Sequence, residues 1–321
     1  MGKVVIGIHG LENKPSKEIL ESWWLLSMKE GLKGIGKKQR IPRFELVYWA
    51  DYFYSSPLDE RIGDKDDPLF LDEPYRIAPV SLRPETSNIR IKILDFLGEK
   101  VNKFLLSPDF SLKYSSLLDS ITEKYFHELS EYFNGEQAGS EKNVRERIVS
   151  RLAEVLRRYD GHEIFLVAHS MGSVIAFDTL SLQEFDVRVK VLATIGSPLG
   201  MPNVISKLAG IQRTSGVENV SMKTPPSVEK CWYNFSDPDD KVAFNYKLSD
   251  DYRENKSGVK PTDFVVFNNY INNGERNPHK SYGYLRTKEF ATVLAEFLES
   301  KQTFRQWIKN TFYRVTKFFR K

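Results

Sequence analysis

Ser170 stands in the pentapeptide Ala168-His169-Ser170-Met171-Gly172, entered from the apolar run Ile164-Phe165-Leu166-Val167 and left through Val174-Ile175-Ala176-Phe177. A serine on a sharp strand-to-helix turn needs very small neighbours two residues to either side, because the backbone is strained there and strand and helix pack closely. Ala168 and Gly172 meet that need, so the run reads as a nucleophile elbow. A serine hydroxyl is a weak nucleophile until an imidazole takes its proton, and a carboxylate on the far ring nitrogen then fixes the tautomer and stabilises the imidazolium. The tetrahedral intermediate of acyl transfer also requires N–H donors for its oxyanion. Such an elbow therefore requires a base and an acid from elsewhere in the chain, and two amides.

The wording A-H-S-M-G resembles the elbow of small bacterial lipases in the α/β-hydrolase superfamily, where alanine takes the first place of the G-x-S-x-G pattern. The resemblance covers roughly residues 1–50, 141–200 and 229–300, and it implies the chain order nucleophile, acid, histidine. The acid is then sought after the apolar run Cys231-Trp232-Tyr233-Asn234-Phe235, within Ser236-Asp237-Pro238-Asp239-Asp240-Lys241-Val242. Asp240 fits the superfamily's D-x-V setting best, with Asp237 and Asp239 as open alternatives. Of the five histidines, His279 alone lies downstream of that acid, which makes it the base. The resemblance also implies the Met171 amide as one oxyanion donor. His9-Gly10-Leu11 resembles the H-G-x turn of lipases, which assigns the second donor to the Leu11 amide. His9 shapes that turn, Gly10 lets the backbone come close, and His9, Gly10 and His169 are assigned to the substrate-binding rim.

These groups need a scaffold that brings them to one place. Strand candidates at 3–8, 44–49, 163–168, 190–195, 231–236 and 263–268, separated by helical or irregular stretches, predict a mostly parallel sheet flanked by helices, an α/β-hydrolase fold. Ser16 caps a helix that stops in the glycine-rich run Gly31 to Gly36. Further helices are expected from near Glu141 and from about Tyr284 to Leu298. The sequence thus divides into a catalytic domain over 1–300, carrying a lid or cap insertion at 51–140 and a second insertion at 201–228, and a C-terminal segment, 301–321. Within the lid, helical periodicity runs from about Ile89 to Phe104 and from Leu117 to Phe133.

The C-terminal segment holds seven basic residues and no acidic one, with Phe304, Trp307, Ile308, Phe312, Val315 and Phe319 at three- and four-residue steps. It reads as a basic amphipathic helix, either docked on its own domain or lying peripherally on an anionic membrane surface. That segment accounts for the net charge of +4 over 321 residues, which leaves the body nearly neutral and without a nucleic-acid footprint. A single cysteine, Cys231, permits no intrachain disulfide. With no signal-peptide pattern and no apolar run long enough to span a bilayer, the expected location is the cytoplasm.

Gly31-Leu32-Lys33-Gly34-Ile35-Gly36 ends a helix instead of following a strand, so it is a poor phosphate loop. The acidic cluster at 237–240 lacks the spacing and glycine of a calcium loop, and no C-x-x-C or H-E-x-x-H motif occurs. Neither a cofactor nor a metal is implied. The expected function is hydrolysis of a carboxylic ester, with a small-molecule or lipid ester as substrate, through an acyl-enzyme on Ser170. The contrasting expectation is a non-catalytic member of the fold that holds a protein or membrane through its lid and basic tail.

Overall fold

The structure, a computed structural model, describes residues 2–79, 129–133, 143–182, 186–214, 222–243 and 245–300. Its centre is a six-stranded sheet: β1 (Lys3–Ile8), β2 (Phe44–Val47), β3 (Glu163–His169), β4 (Val189–Ile195), β5 (Val228–Ser236) and β6 (Pro261–Val265). The spatial order is β2-β1-β3-β4-β5-β6, and every neighbouring pair runs parallel. A parallel sheet is covered on both faces, and β3 and β4 are buried at every residue. Side chains alternate between two cores: Val4, Ile6, Ile164 and Leu166 enter one, and Val5, Phe165 and Val167 the other.

Against the first face pack α2 (Val144–Arg158), α3 (Met171–Leu180) and α4 (Pro202–Thr214). Against the second pack α1 (Lys17–Gly34), α6 (Ser281–Leu285) and α7 (Lys288–Glu299), while the short α5 (Leu248–Asp251) adds Leu248 to the first core and β7 (Ile271–Asn272) and β8 (Glu275–Arg276) form a hairpin. This is an α/β fold. Ser16 caps α1 by accepting from the Ile19 N–H, and α1 stops at Gly34. All ten residues of α3 are buried, as expected of a helix apolar on every side.

Several boundaries differ from the sequence expectation, and three of them have a local cause. The helix placed near Glu141 has Asn143 as its cap, whose Oδ1 accepts from the Glu146 N–H at 2.9 Å. The helix expected from Tyr284 to Leu298 is two helices, because the Thr287 hydroxyl caps a new start on the Phe290 N–H. The strand at 44–49 ends at Val47, since the Trp49 N–H turns away to a histidine nitrogen described below.

Of the 51–140 insertion, residues 51–79 and 129–133 are described. Segment 71–78 is a strap laid over α1 and the loops after β6: Tyr270 Oη donates to Pro74 O, Asn272 Nδ2 to Asp72 O and Arg286 Nη1 to Arg76 O, and Tyr75 Oη donates to Glu30. Residues 129–133 are helical and cover α3, with Tyr132 Oη and Arg145 both donating to the buried Asp178 carboxylate. The helical pattern at 89–104, most of that at 117–133, and the basic segment 301–321 lie outside the described residues. Among the described residues no helix is long and apolar enough to cross a membrane.

Candidate active site

In a parallel sheet every strand delivers its carboxyl end to the same edge, which is where α/β proteins gather their chemistry. Here His9 to Leu11 follow β1, Ser170 follows β3, Gly196 follows β4, Asp237 to Asp240 follow β5, and the long connection after β6 carries His279. The register aligns these ends, with Ile8 opposite Ala168, His169 opposite Ile195 and Ile195 opposite Phe235.

Ser170 has φ 53° and ψ −127°, a conformation that L-residues with side chains seldom adopt. It is held there by its N–H on Ile195 O at 3.1 Å and by Ser173, whose hydroxyl donates to Ser170 O at 2.6 Å. The small neighbour two residues on is a steric requirement: a Cβ on Gly172 would lie 2.6 Å from the carbonyl oxygens of Ile8 and His9.

His279 Nε2 stands 3.0 Å from Ser170 Oγ, and its Nδ1 stands 2.9 Å from Asp240 Oδ2 and 3.0 Å from Oδ1. The carboxylate calls for a proton on Nδ1, which leaves Nε2 as the acceptor for the serine hydroxyl. Asp240 Oδ1 also accepts the backbone N–H groups of Val242 at 2.9 Å and Ala243 at 3.3 Å, and Oδ2 accepts the Tyr284 hydroxyl at 2.7 Å. The other two aspartates face elsewhere. Asp237 accepts Arg276 Nη1 at 2.8 Å and the Asn268 N–H at 2.6 Å, while Asp239 pairs with Arg276 Nη2. Of the three, Asp240 is the one that reaches His279.

The turn after β1 lies directly against Ser170, since a Cβ on Gly10 would fall 3.2 Å from Ser170 Oγ. His9 Nε2 accepts the Trp49 N–H at 2.9 Å, so Nδ1 carries the proton and donates to Gly10 O at 2.8 Å. In a trans peptide the carbonyl and the next N–H point opposite ways, so the Leu11 N–H points away from His9. Among the described residues neither the Leu11 nor the Met171 N–H has an intramolecular acceptor, as an oxyanion donor requires. Lys14 Nζ donates to Leu11 O and steadies the same turn.

Two of the rim residues are bonded within the protein. His9 is buried, stacked at 5.1 Å on the Trp49 indole, and both its ring nitrogens serve the turn, so it shapes the loop and offers no nitrogen to a substrate. Burial above all, then the nearby Lys14, pushes its pKa down to about 3 and keeps it neutral. His169 Nε2 donates to the backbone carbonyl of His279 at 2.7 Å, which makes it a support for the histidine loop. Burial, then His279 itself, holds His169 well below the usual imidazole range.

Several groups at this site carry no signal in the sequence. Asn268 Nδ2 donates to both Pro278 O and Lys280 O at 2.8 Å, clamping the loop on either side of His279. Glu73, from the strap, accepts Asn277 Nδ2 at 2.7 Å and Lys280 Nζ at 2.8 Å, and Asn277 Oδ1 in turn accepts the His279 N–H. Neither Asn268 nor Glu73 belongs to a motif. Each acts through loops that meet only in the folded chain.

Ser170 is 2% exposed, whereas the His279 side chain is 30% exposed, so the hydroxyl lies beneath the imidazole. A cavity of about 580 Å³ lies elsewhere, bordered by Trp23, Phe70, Tyr75 and Arg76, and none of Ser170, Asp240 and His279 lines it. Convergent titratable groups mark the site better than cavity size does. Among the described residues no group of three or more His, Cys, Asp or Glu side chains is placed to hold a metal ion. The chain matches no family model, no curated protein and no solved structure.

Proposed function

We propose that the protein is a serine hydrolase of α/β-hydrolase type that cleaves a carboxylic ester through an acyl-enzyme. The observation that carries this reading is the line Ser170 Oγ, His279, Asp240, with the imidazole at 3.0 Å from the hydroxyl on one side and 2.9 Å from the carboxylate on the other. The backbone strain at Ser170 supports it, since a left-handed φ on a buried serine is kept only where the surroundings over-determine it.

In the reaction His279 Nε2 takes the hydroxyl proton as Ser170 Oγ bonds to the ester carbonyl carbon. The carbonyl oxygen becomes an oxyanion facing the Leu11 and Met171 N–H groups. Collapse breaks the bond to the alcohol, which leaves with the proton from His279, and an acyl group remains on Ser170. Water repeats the sequence with His279 again as base, releasing the acid and restoring the serine. Asp240, on the far ring nitrogen, stabilises the imidazolium.

Turnover of p-nitrophenyl esters over a range of acyl lengths tests the proposal. The expected result is hydrolysis by the wild type that is lost in Ser170→Ala. Equal rates in the two proteins would reject it.

A further inference from the structure

Tyr284 is fully buried, and its hydroxyl makes two hydrogen bonds to one loop: it accepts the Asp237 N–H at 2.9 Å and donates to Asp240 Oδ2 at 2.7 Å. A buried tyrosine hydroxyl needs partners of some kind, and most such pairings only satisfy the fold. Here the two partners bracket the turn that delivers the acid, closed also by the Asp240 N–H on Asp237 O at 3.0 Å. The tyrosine itself comes from α6, which begins two residues after His279, so one short segment supplies both the base and the group that grips the acid.

We propose that Tyr284 is a positioning residue that fixes Asp240 and tempers its charge, setting how strongly the carboxylate holds the His279 Nδ1 proton. The inference rests on the proposed serine hydrolase reading. A hydroxyl donated to a carboxylate delocalises its negative charge and lowers its pull on the Nδ1 proton. The donor is permanent, because burial first, then Asp240, pushes the phenol well above its usual range. The charged and titratable groups against this pair are Asp237 of the same loop, itself bound by Arg276 from β8, His279 on the carboxylate, and His169 from the end of β3, whose ring lies 6.5 Å from that of Tyr284. A Tyr284→Phe change leaves all of them in place.

The test is the rate of labelling by a fluorophosphonate probe, followed against pH in the wild type and Tyr284→Phe, together with the downfield proton NMR signal of His279 Nδ1–H. Removing the donor is expected to slow labelling about tenfold, the scale of one hydrogen bond to a charged group. It is also expected to move the acid limb to higher pH, because an untempered Asp240 holds the imidazolium more strongly. A fluorinated tyrosine of lower phenol pKa at position 284 is a stronger donor of the same shape, and it should move the limb to lower pH. That second variant decides the matter if the phenylalanine protein fails to fold. An unmoved limb in either folded variant, whether or not labelling slows, overturns the proposal. If the wild type itself is not labelled, the hydrolase reading fails separately, and an Nδ1–H resonance unchanged between wild type and variant would then reject the Tyr284 assignment on its own.

Discussion

A Cβ placed on Gly10 would fall 2.7 Å from the Cβ of Ser170, closer than real side chains approach. The obstacle is the base of a buried side chain held at φ 53°, which cannot swing aside. Gly10→Ala is therefore expected to push the turn after β1 away from the nucleophile. The change should destabilise the fold by about 1–3 kcal/mol, as overpacking does, and lower ester turnover by more than the loss of folded protein explains. Denaturant titration beside turnover corrected for folded fraction checks both parts. Full activity at full stability would show that the Gly10–Leu11 peptide has no place in the chemistry.

The three aspartates after β5 separate by function. Asp240→Asn keeps the shape but turns the acceptor facing Nδ1 into a poor one, and turnover should fall by about ten-thousandfold, the scale known for that change in a serine triad. Asp239→Asn should lower turnover little. Asp237→Asn removes a carboxylate that is 1% exposed and faces Arg276, so it should cost stability, with activity retained by the folded fraction. Kinetic constants and melting curves for the three proteins give the ranking, and loss of turnover in Asp239→Asn with retention in Asp240→Asn would reverse the assignment of the acid.

Acid should weaken the fold through His9 and His169. His9 titrates near pH 3 in the native protein instead of its ordinary 6.5, so between those values the unfolded chain binds a proton that the native one does not. Stability then rises with pH across that window and is lost as pH falls. Asp251, which burial first and then Asp250 raise to about 6, acts with the opposite sign, as does the raised Asp237. Comparing the wild type with His9→Asn cancels these opposing groups. The variant is expected to be less stable at neutral pH but to lose stability less steeply in acid, by up to about 1.4 kcal/mol per pH unit. Urea unfolding at a series of pH values measures the slopes, and parallel slopes would mean that His9 is charged in the native state.

What the sequence disclosed, and what it did not, follows from where the information sits. Buried parallel strands are short apolar runs between breakers, so all six were legible, with β5 starting earlier than expected, β2 ending earlier and β6 displaced toward the N-terminus at both ends. The pairing of Ser170 with His279 was legible because the elbow is a local steric motif and only one histidine follows the acid loop. The acid was legible only as a preference for Asp240 from its D-x-V setting, because what separates it from Asp237 and Asp239 is the tertiary partner each meets, Arg276 for two and His279 for the third. The break at Thr287 was hidden for a related reason: apolar spacing continues through it, and a cap on the Phe290 N–H is invisible to periodicity. Within the 51–140 insertion, residues 71–78 form a strap whose Glu73 grips both Asn277 and Lys280 beside His279, a contact between distant segments that no local pattern announces.

The most direct measurement is fluorophosphonate labelling of the purified protein beside Ser170→Ala, with intact mass read for each. An activated serine displaces the probe's fluoride, so the wild type is expected to gain one phosphonyl group on Ser170 and the variant none. A folded wild type that gains no mass, or a variant labelled as fast as the wild type, would contradict the account that Ser170, His279 and Asp240 form a working triad.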